Sequence, residues 1–137
     1  MIRILLAEDN PQDVFLLQEA FTNANLTVEI QSVNDGDELL KRLLREEPSA
    51  PPSIDLVLLD VRLPRRTAPE VLQMLRARRP HFDVPIVVLS SLISPQDRAR
   101  FVELGTREVL SKPLDLEDYV GMAKTLYSFI RKDEVPS

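Results

Sequence analysis

IDLVLLD, residues 54–60, is an almost unbroken apolar run closed by a carboxylate, Asp60. A short run of this kind, without alternation, reads as a strand buried on both faces. Four further strand-like runs lie around it. IRILLA (2–7) leads into Glu8 and Asp9, and PIVVLS (85–90) ends in Ser90. REVL (107–110) is short and leads through Ser111 to Lys112, while TVEIQS (27–32) alternates polar and apolar residues as an edge strand does. Helix-like segments separate the five runs, which predicts an α/β fold with a parallel sheet. In such open sheets, ligands bind outside the carboxyl ends of the strands. Glu8, Asp9, Asp60, Ser90 and Lys112 are therefore expected to meet in space although they are far apart in the chain.

Helix start signals fit the same frame. Asn10 followed by Pro11 suits the start of a first helix, with Val14, Leu17 and Phe21 on one face. Thr67 and Glu70 have the spacing of a capping box for a third helix. Ser94-Pro95 opens a fourth, which Gly105 closes, and Asp115 opens a fifth. In that last helix Leu116, Tyr119, Val120, Ala123, Leu126, Tyr127 and Ile130 recur at helical spacing. Met122, Leu126 and Phe129 make a second stripe, read either as core or as a dimer contact. EEPSAPPS (46–53) reads as a surface loop and DEVPS (133–137) as a frayed tail.

Composition narrows the function. A chain of 137 residues with 44% apolar content suits one domain with its own core. The net charge of -5 argues against a nucleic-acid-binding surface. The absence of cysteine excludes disulfides and thiolate chemistry, and one histidine, His81, is too few for a histidine-rich metal site. IRILLA is too short for a membrane span or a signal peptide, so a cytoplasmic location is expected.

Carboxylates gathered at one sheet edge repel one another unless a cation lies between them. Oxygen-only ligands suit Mg²⁺. Asp60 is the candidate nucleophile, since a carboxylate can attack phosphorus and form an acyl phosphate. Lys112 would supply a second positive charge and Ser90 a hydroxyl donor. Phosphoryl transfer is mostly positioning and charge stabilisation, so this short list suffices.

LLAEDNPQDV, LVLLDVRLP, PIVVLSS and LSKP together resemble the signature segments of the receiver domain of two-component response regulators. The resemblance implies a flavodoxin-like (βα)5 fold, a doubly wound parallel five-stranded sheet of order 2-1-3-4-5 with helices on both faces. It implies a receiver domain over 1–131 with an extended last helix, and a C-terminal tail over 132–137. Asp60 would accept a phosphoryl group from a phosphohistidine on a sensor histidine kinase. Mg²⁺ would be held by Asp9, Asp60 and the backbone carbonyl of Arg62, with Glu8 acting through water. Ser90 and Lys112 match the family's hydroxyl and lysine positions, and Pro113 matches a position where a cis peptide bond is common. The chain is also similar to stand-alone regulators paired with bacterial and cyanobacterial phytochromes. That likeness implies a signalling switch rather than an enzyme, with a phytochrome as a candidate kinase, a homodimer as a candidate assembly, and no nucleic-acid or membrane partner. With only six residues after 131, output is expected through protein–protein contact.

Three features depart from the family pattern. Thr67 and Ala68 stand where many receivers have Asp-Gly, so the loop after Asp60 is expected to take a different path. Val109 replaces the aromatic residue usual in strand five, which puts the usual readout of the switch in question. The Arg62, Arg65 and Arg66 cluster is either a solvated face or a partner contact, and Arg62 could lean over the pocket. Two other functions remain on the sequence: a pseudo-receiver that binds without phosphorylation, and an aspartate-nucleophile phosphatase. Arg62, standing where the phosphatase needs a second aspartate, argues against the latter.

Overall fold

The computed structural model describes residues 2–44 and 54–131. The segment 46–53 and the tail 132–137 lie outside them. Strands β1 (Ile2–Ala7), β2 (Val28–Val33), β3 (Leu56–Asp60), β4 (Ile86–Ser90) and β5 (Glu108–Ser111) alternate with helices α1 (Pro11–Asn23), α2 (Gly36–Leu44), α3 (Ala68–Arg78), α4 (Pro95–Glu103) and α5 (Leu116–Arg131). All strand pairs are parallel and the order is β2-β1-β3-β4-β5, as the resemblance implies.

The expected helix starts are present. Asn10 Oδ1 accepts from the Gln12 N–H, Thr67 and Glu70 form a reciprocal capping box, and Ser94 Oγ accepts from the Asp97 N–H. Asp115 does the same for Asp118. Gly105, at φ 87°, ends α4 with its N–H on Val102 and that of Thr106 on Phe101. A left-handed residue in this position lets the last carbonyls of the helix find donors.

The sheet carries a separate apolar core on each face. Leu5, Val57, Leu59 and Val88 pack with α2 and α3, together with Phe101 of α4. Ile4, Leu6, Leu56, Leu58, Val87 and Leu89 pack with α1 and α5. Side chains alternate faces along a strand, and this places the strand ends chemically. Glu8 follows the parity of Ile4 and Leu6, Asp60 that of Leu56 and Leu58, and Lys112 that of Leu110. All three fall on the α1/α5 face. Ser90 has the parity of Val88 and falls on the other.

The ladder sets these ends level. Asp60 pairs with Leu89 and Ser90 with Ser111. One residue further, the Glu8 N–H donates to the Val33 carbonyl and the Lys112 N–H to that of Ser90.

Three expectations need correction. Met122 and Leu126 are buried in the α1/α5 core, and Phe129 is half-buried with the Arg107 guanidinium 5.6 Å from its ring centre. Met122 and Leu126 of that stripe are thus core packing, and only Phe129 keeps part of its surface exposed. Arg65 and Arg66 are paired within the chain, to Asp35 and Asp37, while Arg62 and most of Arg65 stay exposed, so the cluster is in part an intramolecular clamp and in part a solvated face. Among the described residues no peptide bond is cis, so Lys112–Pro113 is trans.

The loop after Asp60 settles how Thr67 and Ala68 are accommodated. Ala68 is the buried first residue of α3, and the left-handed position is Arg65, at φ 73°. The loop is docked on the start of α2, where the Gly36 N–H donates to the Pro64 carbonyl. A Cβ on Gly36 would meet the Arg66 carbonyl oxygen at 2.4 Å, whereas one on Gly121 would meet nothing within 4 Å. The two glycines should therefore respond oppositely to alanine in urea denaturation. Gly36→Ala should lose about 1–3 kcal/mol through forced displacement, and Gly121→Ala should gain roughly 0.5–1 kcal/mol of helix propensity. Equal responses would contradict the close approach.

Candidate functional site

The carboxyl end of the sheet holds one ammonium among three carboxylates. Lys112 Nζ donates to Glu8 Oε1 at 2.7 Å, to Asp60 Oδ2 at 2.7 Å and to Asp13 Oδ2 at 3.0 Å. An ammonium has three donors, and these contacts use them all. The side chain of Glu8 is 3% exposed, that of Asp60 7%, that of Lys112 14% and that of Asp13 26%.

The carboxylates are also held from the backbone. The Arg62 N–H donates to Asp60 Oδ1 at 3.0 Å, so both Asp60 oxygens have a donor and the carboxylate plane is fixed. The Asn10 N–H donates to Glu8 Oε2 at 3.2 Å. Asp9 is exposed at the rim, and one oxygen from each of Glu8, Asp9 and Asp60 lies within 4.8 Å of the others. Oxygen-only donors this close form a set suited to a hard divalent cation.

Electrostatics follow from burial. Desolvation pushes the Glu8 carboxyl up to about 7; the Lys112 ammonium opposes this and the neighbouring Asp60 adds to it. For Lys112, burial disfavours the charged form, but hydrogen bonds to Asp60, Glu8 and Asp13 outweigh it and hold the ammonium above its ordinary range. Tyr119 of α5 is raised by burial and then by the charge of Asp13.

Of the residues read from the sequence, Glu8, Asp9, Asp60 and Lys112 are brought together. Ser90 is buried beside them, but its hydroxyl donates to the Leu92 carbonyl at 2.8 Å and accepts the Leu92 N–H at 3.2 Å. It thus stabilises the turn after β4 and does not bond Asp60. Arg62 contributes its N–H, and its side chain is exposed. Val109 is buried in the opposite core. Asp13 escaped the sequence reading. Its signal was available: with Asn10 as cap it occupies the first turn of α1, directly above the end of β1.

The response regulator receiver domain family matches this chain over residues 4–124. The chain belongs to that family. Response regulator Rcp1 of Synechocystis is 30% identical over 127 residues, covering 92% of this chain and 86% of its own. The phosphorylated cyanobacterial phytochrome response regulator RcpA has a crystal structure that superposes at TM-score 0.81 with 32% identity, over 99% of both chains. That of RPA3017, a response regulator in red light signaling of R. palustris, superposes at TM-score 0.85 with 26% identity, over 100% of this chain and 99% of its own. These relatives agree with the likeness to phytochrome-associated regulators read from the motifs. The chain spans about half the length of several other curated relatives that it matches.

The raised Glu8 gives this receiver domain a pH signature. A carboxyl whose folded value lies above its unfolded 4.5 contributes stability that is complete below 4.5 and is lost as pH rises through about 7. In chelator, the wild type should lose on the order of 2 kcal/mol of unfolding free energy between about pH 5.5 and 8. Glu8→Gln should flatten that slope. Urea titrations across this window check it, and parallel slopes would contradict the assignment.

Proposed function

We propose that this receiver domain is a phosphorylation switch. Asp60 accepts a phosphoryl group from a phosphohistidine of a sensor histidine kinase, with Mg²⁺ as the required ion, and the phosphorylated form signals by protein–protein contact. The observation that carries this reading is the recessed Asp60 carboxylate, bonded to Lys112 Nζ at 2.7 Å and adjoining the oxygens of Glu8 and Asp9.

The donor set fits Mg²⁺. Asp9, Asp60 and the Arg62 carbonyl would hold it. Glu8 has one oxygen on Lys112 and the other on the Asn10 N–H, which favours a role through water. Bound there, Mg²⁺ supplies positive charge against the phosphoryl oxygens. The related Rcp1 has been crystallised in a Mn²⁺-bound form. RcpA has been crystallised phosphorylated.

The protein's own groups do the rest. An Asp60 oxygen forms the new O–P bond as the N–P bond of the phosphohistidine breaks, and the bonding pair leaves on the imidazole nitrogen. The Arg62 N–H and Lys112 orient the carboxylate for that attack, and Lys112 then has charge to offer the transferred oxygens. Ser90 reaches a phosphoryl oxygen only by leaving Leu92. That exchange couples the pocket to the turn that carries the exposed side chain of Leu92 and leads into α4. Val109 has no ring to swing, so the readout falls to this turn and to α4, of which only Phe101 is buried.

A phytochrome-type kinase is the input partner that the relatives support, and a second copy of the chain is the candidate output partner. Leu92 and Leu114, on the loops after β4 and β5, give a protein partner exposed apolar surface. The net charge of -5 disfavours nucleic acid. The chain assists its own phosphorylation and dephosphorylation and turns over no external substrate.

Intact-protein mass after incubation with acetyl phosphate and Mg²⁺ tests the reading. One added phosphoryl group is expected, absent in Asp60→Asn and absent without Mg²⁺. A folded wild type that gains none would instead be a phosphate-independent binding module.

A further inference from the structure

Lys112 has no donor to spare. Each of its three N–H bonds is committed to a carboxylate, yet the reading of Asp60 as phosphoryl acceptor requires it to turn to an incoming phosphoryl oxygen. One contact must be given up, and the three are not equal. Glu8 is 3% exposed and is also held by the Asn10 N–H. Asp60 is 7% exposed, is also held by the Arg62 N–H, and is the reacting group. Asp13 is 26% exposed, makes the longest of the three contacts at 3.0 Å, and rides on the first turn of α1 outside the sheet.

Resting on that reading, we infer that Asp13 is a positioning residue: a displaceable counter-ion that holds the Lys112 ammonium in the unphosphorylated form and yields it to the phosphoryl group. Its place at the start of α1 suits the role. A carboxylate there is favoured by the helix dipole and the free N–H groups of the first turn, so Asp13 keeps a favourable surrounding when Lys112 leaves. A buried carboxylate such as Glu8 would be left uncompensated. Asp13 therefore opposes phosphoryl uptake while stabilising the resting pocket, and it sets the rate of switching without touching the reacting atoms.

Two readouts test this on the full chain, with Asp118→Asn as control. Asp118 lines the same cavity of about 370 Å³ as Lys112 but makes no bond to it. The first readout is the rate of mass gain with acetyl phosphate and Mg²⁺. Asp13→Asn should speed it by about fivefold, the factor one part-exposed ion pair commands. Asp13→Glu should restore the wild-type rate, and Asp118→Asn should change it by less than about twofold. The second is acetylation of the Lys112 amine by an amine-reactive ester without phosphodonor or Mg²⁺, read by peptide mass. Asp13→Asn should raise it by several-fold and Asp118→Asn should leave it unchanged.

Unchanged Lys112 reactivity in Asp13→Asn overturns the tether, whether or not the protein accepts phosphate. Equal acceleration by Asp13→Asn and Asp118→Asn overturns it in favour of general charge. A wild type that gains phosphate at the same rate as Asp13→Asn overturns this inference alone. A wild type that gains none overturns the underlying reading with it.

Discussion

One half-buried ammonium shared by three carboxylates organises the functional end of this protein. Taking a lysine and two nearly buried acids out of water is costly, and the cost is met only when every donor finds an acceptor. Lys112 achieves this with Glu8, Asp60 and Asp13, which come from strand ends β5, β1 and β3 and from helix α1. The arrangement is nevertheless short of positive charge. With Asp9 at the rim, four carboxylates face one ammonium. Burial raises the Glu8 carboxyl to about 7 and the neighbouring Asp60 adds to the rise, and the surplus negative charge is what a divalent cation would relieve. The pocket is therefore satisfied in hydrogen bonds and unsatisfied in charge, a combination suited to exchanging partners.

The sheet makes this possible through parity as much as through proximity. A strand places alternate side chains on opposite faces. β1, β3 and β5 end so that Glu8, Asp60 and Lys112 share the α1/α5 face. β4 ends so that Ser90 belongs to the other. The acid–ammonium cluster and the hydroxyl thus report to different layers. A group bound at Asp60 that recruits Ser90 would connect the two sides of the sheet. On the Ser90 side the surroundings differ in firmness. The loop after β3 is fixed by Gly36 against Arg66 and by the Arg65–Asp35 and Arg66–Asp37 pairs. Helix α4 buries only Phe101 and is anchored through the Arg98–Val109 hydrogen bond and its C-terminal turn. The less firmly packed element is the one that follows Ser90.

Much of this was legible in the sequence because the informative features are local. Apolar runs with a polar terminus fix both a strand and the group it presents, and Asn10, Thr67, Ser94, Asp115 and Gly105 punctuate the helices with their own backbone chemistry. What was not legible depends on registration between elements. Asp13 reaches Lys112 because α1 leaves β1 at a particular angle, a matter of packing against α5. Ser90 turns to Leu92 because of strand parity and the path of the following turn. The stripe of Met122, Leu126 and Phe129 looked like a second face because helical spacing cannot tell one broad buried face from two. The pairing of Arg65 and Arg66 was not legible because their partners, Asp35 and Asp37, lie about 30 residues away at the start of α2.

The most direct test of the shared-ammonium account is a crystal structure with Mg²⁺ and beryllofluoride. The account predicts a beryllium–oxygen bond to Asp60, Lys112 Nζ within hydrogen-bond distance of a fluoride and of Glu8, and Asp13 released. Beryllofluoride bound at Asp60 with Lys112 still on Asp13, or no beryllofluoride at Asp60 at all, would contradict it.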